Sequence, residues 1–145
     1  MFKHILFPVD NSSASRKAIR KAIAFARETG ARITAYHALP RLAGGVFGDG
    51  YRFPQPDNAR AELREAKAKF IQETARSARV EGVRFDAFVD RAMTPDEGIL
   101  EAARKRKCDV IFMGTNGRRG LARLALGSVT SKVLTRSTVP VLVYR

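Results

Sequence analysis

Cysteine occurs once in the 145 residues, as Cys108, tryptophan not at all, and histidine twice, as His4 and His37. A single cysteine excludes an intramolecular disulfide and a cysteine-based zinc site. With no histidine paired to it, Cys108 reads as a buried, inert thiol at the head of a strand rather than a nucleophile. No apolar run is long enough to span a bilayer, and the start MFKHILFPVD lacks the longer apolar region and small-residue cleavage site of a signal peptide. A cytoplasmic protein without a membrane partner is therefore expected. No Walker lysine, pair of catalytic carboxylates or Ser-His-Asp arrangement is visible, and each histidine falls in a strand pattern that fits a packed or edge residue better than a general base. Internal repeats and low-complexity tracts are also lacking, so residues 1–145 are expected to form one domain.

Acidic residues are scarce as well: Asp and Glu number 14 against 27 Lys and Arg, for a net charge of +13. Such a surface attracts polyanions, among them nucleic acid and nucleotide phosphates. The cations are nevertheless spread along the chain, at Arg16 to Lys21, Arg60 to Lys69, Arg104 to Lys107, and Arg118, Arg119 and Arg123. Most sit in helical segments among alanines, and the second group alternates with Glu62, Glu65 and Glu73, which is the pattern of a solvated helix face. A nucleic-acid or other polyanion-binding protein is the alternative that rests on charge alone.

What is present is an alternation of strand and helix signals. Ile5, Leu6, Phe7 and Val9 predict a first strand that finishes near Pro8 and leaves Asp10 at its C-terminal tip. Asn11, Ser12, Ser13 and Ser15 offer N-caps to a helix carried by Ala18, Ile19, Ala22, Ile23 and Ala26 and stopped at Thr29-Gly30. A second strand, Ile33 to Leu39, completes a βαβ unit and favours a parallel sheet. Residues 41 to 58, with four glycines and two prolines, read as a mobile surface loop, either siteless or a lid. Asp57 or Asn58 then caps a helix to about Ala78, with Ala61, Leu63, Ala66, Phe70, Ile71 and Ala75 on or near its buried face. After Gly82 come a strand from Phe85 to Val89, a helix opened by Thr94-Pro95 and running to Lys107, a strand from Val110 to Met113, and a last strand from Val139 to Tyr144.

Between those last two strands lies the stretch with the most chemistry. The apolar run Val110 to Met113 enters Gly114, Gly117 follows, and Gly127-Ser128 opens a helix bearing Val129, Val133 and Leu134 on one face. Glycines at 114 and 117 permit positive φ and close backbone approach by a ligand, and a helix starting near Ser128 aims free N–H groups and a positive dipole end at it. Ser128 or Ser131 supplies a hydroxyl ligand or cap. Phosphate is the anion such an arrangement suits.

The spacing Gly114-x2-Gly117-x9-Gly127-Ser128 resembles the nucleotide-binding motif of the universal stress protein family, in its ATP-binding branch, and the likeness extends to the start HILFPVD and the ending PVLVYR. Met93 departs from the pattern, since relatives commonly have glycine there. The resemblance implies an open five-stranded, mainly parallel α/β sheet of order 3-2-1-4-5 with helices on both faces, of the adenine-nucleotide alpha-hydrolase-like type. It implies ATP as ligand, with Mg²⁺ held by the phosphates themselves where it takes part, at most slow hydrolysis, and a homodimer through the C-terminal strand. Carried over residue by residue, Pro8, Val9 and Asp10 would line the adenosine end, and the Ala38 backbone would meet the adenine edge. Met113 and Gly114 would lie against ribose and phosphates, Gly117 beside the phosphates, and Gly127, Ser128, Val129 and Thr130 would supply donors. Read from the residues alone, Asp10 serves equally as a helix N-cap, and Arg118, Arg119 and Arg123 either neutralise phosphates or face solvent. A hydrolase of the related type would want glycine as well as serine near residue 10, where PVDNSSAS has only serines, and a flavoprotein subunit would want a partner arm.

Overall fold

The computed structural model describes residues 1–10, 13–40, 57–115 and 126–145. Five strands, β1 (His4–Pro8), β2 (Arg32–Pro40), β3 (Phe85–Ala92), β4 (Val110–Gly114) and β5 (Val141–Tyr144), alternate with helices α1 (Ser13–Thr29), α2 (Asp57–Val80), α3 (Pro95–Lys105) and α4 (Ser128–Arg136). The sheet order is β3-β2-β1-β4-β5, and each neighbouring pair is parallel. This is the order that the family resemblance implied.

Residues of period two divide the strands between two cores. Ile5, Phe7 and Val9 of the first strand region pack with Ile33, Val110 and Phe112 under α1 and α2. Leu6, Tyr36, Ile111 and Met113 pack on the opposite face with Ile99, Ala102 and Ala103 of α3 and Val133 of α4. Each fully buried Ile, Leu or Phe removes enough apolar surface to contribute about 1.5–3 kcal/mol. Helix α1 lies close to the sheet because its buried stripe includes Ala18, Ala22 and Ala26.

Several boundaries and faces differ from expectation. In α2 the buried stripe is Phe70, Thr74 and Ala78, whereas Leu63 is 42% exposed and Ala61 is exposed. Thr74 tolerates burial by donating its hydroxyl to the Phe70 carbonyl at 2.7 Å. On α4 the buried residues are Thr130 and Val133, while Leu134 faces out at 38%. Strand β3 runs three residues past Val89, because β2 continues to pair with it as far as Pro40↔Ala92. Helix α3 ends at Lys105, and Lys107 takes φ 53° in turning the chain toward β4. Thr94 caps α3 as predicted, accepting from Glu97 N, with proline following at the first helical position.

The end of the sheet remote from the strand tips is tied by polar side chains. Asp109 accepts from Lys3 N at 2.8 Å and His4 N at 3.1 Å, fixing the start of β1 beside β4. Arg32 donates to His4 Nδ1, so His4 carries its proton on Nε2 and donates to Thr34 Oγ1 at 2.7 Å. Thr34 in turn donates to Asp86, which Arg106 also pairs. Burial and the Arg32 guanidinium hold His4 below the usual imidazole range. Cys108 is buried and its thiol is pushed up to about 12, chiefly by desolvation, as befits an inert residue. Among the described residues no helix is long and apolar enough to cross a membrane.

Candidate functional site

Helix α1, which follows β1, packs on one face of the sheet, and α4, which follows β4, packs on the other. Since β1 and β4 are neighbours, the chain leaves their adjacent C-terminal ends in opposite directions and a crevice opens between them. A cavity of about 190 Å³ occupies that position. The chain between Thr115 and Leu126, containing Gly117, Arg118, Arg119 and Arg123, lies outside the described residues, as do Asn11, Ser12 and most of the 41–58 segment.

Sequence reading nominated Pro8, Val9 and Asp10 from the β1 tip, Ala38 from β2, and Met113 and Gly114 from β4, and all six line this cavity. Val129 and Thr130 of α4 close it from the other side. Gly127 and Ser128 stand beside it without lining it. Gly127 is the N-cap of α4 with φ −57°, offers no side-chain bond, and accepts from Ser131 N at 2.9 Å. The first turn therefore leaves the N–H groups of Ser128, Val129 and Thr130 without intrahelical acceptors, toward the strand-tip end of the fold.

The expectation that Gly114 serves through positive φ is corrected, because positive-φ glycines among the described residues are Gly30 and Gly82. Gly114 is the last residue of β4, and a Cβ there would stand 3.0 Å from the Ala14 carbonyl oxygen and 3.1 Å from Ala18 Cβ. Glycine is needed so that the first turn of α1 can rest on the strand. Likewise Ser15, one of the candidate caps, is inside α1, 3% exposed, and lines the cavity.

Tyr36, Pro95 and Ile99 also line the cavity and were not singled out by sequence reading. Tyr36 stands two residues before Ala38 on the same side of β2, so strand periodicity carried the signal. Pro95 and Ile99 are an i, i+4 pair on α3.

Charge near the β1 and β2 tips is concentrated in three groups. Lys67 of α2 donates to His37 Nδ1 at 3.2 Å. Desolvation, and then the Lys67 ammonium, hold His37 down to about 4, so the ring is neutral. Burial lowers Lys67 too, partly offset by the Asp10 carboxylate. His37 thus acts as an acceptor for a lysine that balances Asp10, a structural part rather than a general base. Among the described residues no group of three or more His, Cys, Asp or Glu could hold a metal ion.

A larger groove of about 630 Å³ lies between α3 and the end of α4, with Arg104, Lys107 and Arg136 along it. It is away from the strand tips and unconnected to the converging residues above.

The family model for the universal stress protein family matches residues 1–145. The chain belongs to the universal stress protein family. A universal stress protein of Thermus aquaticus is 34% identical over 151 residues, covering 100% of both chains. A universal stress protein of Archaeoglobus fulgidus, solved in complex with dAMP, superposes with a TM-score of 0.68 at 21% identity, covering 99% of this chain and 98% of that one. A further universal stress protein, solved in complex with cAMP, gives a TM-score of 0.72 at 21% identity over 99% of this chain and 97% of the other. At that identity the likeness of structure shows the shared fold: a parallel sheet of order 3-2-1-4-5 with helices on both faces.

Proposed function

We propose that the chain binds ATP in the crevice between the tips of β1 and β4 and works as a nucleotide-regulated, homodimeric stress-response module with at most slow hydrolysis. The observation that carries this reading is the convergence of Pro8, Val9, Asp10, Ala38, Met113 and Gly114 with the α4 residues Val129 and Thr130 around one cavity at the switch point of the sheet. Adenine-nucleotide complexes of two family members add support.

In this reading the adenosine end rests against Val9, Ala38 and Met113, with the Asp10 carboxylate accepting from the nucleoside. The phosphates take the free N–H groups of Ser128, Val129 and Thr130, where donors and the positive end of the α4 dipole coincide. Gly117, outside the described residues, is assigned to the phosphates by the family motif alone. Magnesium, when bound, would neutralise phosphate charge. The described cavity wall offers one carboxylate, that of Asp10, and no histidine, which favours holding the nucleotide over turning it over.

Isothermal titration tests the proposal. ATP should bind the natively purified protein with micromolar-class affinity, and Gly117→Val should raise the dissociation constant at least tenfold, or about 1.4 kcal/mol. Unchanged affinity in a folded Gly117→Val protein contradicts it.

A further inference from the structure

Tyr36, one of the residues lining the cavity, carries a buried hydroxyl that no other described residue uses. Tyr36 is 2% exposed, lines the cavity, and its Oη has no hydrogen-bond partner among the described residues. A phenylalanine would fill the same place, against Phe88 at a centroid distance of 6.0 Å, without burying an unbonded polar atom. On the neighbouring helix α3, a Cβ on Gly98 would collide with Tyr36 Oη and stand 2.8 Å from Ala92 Cβ, so glycine lets the helix approach both residues.

We propose that Tyr36 Oη is a specificity-determining contact that donates a hydrogen bond to a ring nitrogen of the nucleobase. This rests on the nucleotide reading above. Around Tyr36 the wall is made of Ala38, Pro95 and Ile99, which are apolar, while the first-turn N–H groups without intrahelical acceptors lie at the α4 end. A flat heteroaromatic ring with in-plane lone pairs suits an apolar wall bearing one donor. A phosphate belongs at the other end. Burial, and then the Asp90 carboxylate, push the phenol up to about 12, so it keeps its proton and remains a donor at neutral pH.

The test is titration of adenosine, AMP and ATP into the full-length protein and its Tyr36→Phe variant, with thermal unfolding of both proteins free of ligand. The contact lies on the part the three ligands share, so the variant should lose five- to tenfold in affinity by the same factor for each. Its unliganded unfolding midpoint should be unchanged or higher, because an unbonded hydroxyl has been removed. Equal affinities in the two proteins overturn the assignment. So does a loss that grows with the number of phosphates, which would put the hydroxyl at the other end of the ligand. A midpoint several degrees lower overturns it too, by showing the hydroxyl satisfied within the protein. If the parent protein binds none of the three ligands, the nucleotide reading itself fails and this assignment with it; if the parent binds and the variant binds equally, only this assignment fails.

Discussion

Gly114 offers a sharp test of how the crevice is built. Replacing it with alanine places a methyl carbon 3.0 Å from the Ala14 oxygen, 3.1 Å from Ala18 Cβ and 3.2 Å from the Ala14 carbonyl carbon. Two of these three atoms are α1 backbone, held by the helix itself, so relief requires moving α1 away from β4 by a few tenths of an ångström. Overpacking of this kind costs about 1–3 kcal/mol, and replacing glycine in a strand returns about 0.5–1 kcal/mol. The net expectation is a loss of about 1 kcal/mol for Gly114→Ala and about 2 kcal/mol for the bulkier Gly114→Val. At roughly 2 cal/mol/K of unfolding entropy per residue, the valine variant should melt about 7 °C lower. Urea unfolding at fixed pH measures both, and a cycle with Ala18→Gly locates the cause. The double variant Gly114→Ala/Ala18→Gly should lose less than the sum of the single losses, by at least about 0.5 kcal/mol, since one of the three contacts has been removed. A Gly114→Val protein as stable as the parent, or a strictly additive cycle, refutes the argument that glycine is there to seat α1.

Two further predictions concern pH and assembly. The folded state holds His37 near 4 and His4 below its usual value, so as pH falls through about 6.5 the unfolded chain takes up protons first and stability declines, levelling off only below the folded values. For His37 the loss is at most on the order of 3 kcal/mol; the fall in urea midpoint from pH 7 to pH 4.5 should be smaller in His37→Gln, and an identical fall in parent and variant contradicts the account. The homodimer expected on β5 pairs that edge strand with its copy, antiparallel. Because Pro140 O and Tyr144 O accept from β4, the outward N–H and C=O groups belong to Val141 and Val143. Val143→Pro should therefore give monomers by light scattering at micromolar concentration, and a dimer that survives it rules out this edge as the interface.

Much of the fold was legible because its signals were strong and local. Apolar strands of the right length, the Thr94-Pro95 helix start and the small-residue stripe of α1 all specify their elements without help from distant sequence. Faces were harder where amphipathicity is weak. Leu63 and Leu134 are apolar by composition, yet the described buried residues of α2 are Phe70, Thr74 and Ala78 and α4 is short, so neither side chain reaches a core. At Gly114 only the expected positive φ failed: glycine at a strand tip looks like a turn residue, and the three-dimensional proximity of Ala14 adds a packing constraint the sequence does not show. Tyr36 was overlooked because an aromatic residue in a strand reads as core, and its hydroxyl becomes informative only once no partner is found for it. The solvated reading of the basic helices gains from pairs such as Arg27 with Glu81 and Arg104 with Glu101, which lie at the surface.

The central claim is that an adenine nucleotide occupies the crevice between β1 and β4, and backbone amide shifts recorded during an ATP titration of isotope-labelled protein test it most directly. The account predicts saturable shifts concentrated at Val9, Asp10, Ala38, Gly114 and Ser128 to Thr130, complete in the micromolar-to-submillimolar range. Shifts confined instead to the groove between α3 and the end of α4, at Arg104, Lys107 and Arg136, or no shifts at millimolar ATP, would contradict it.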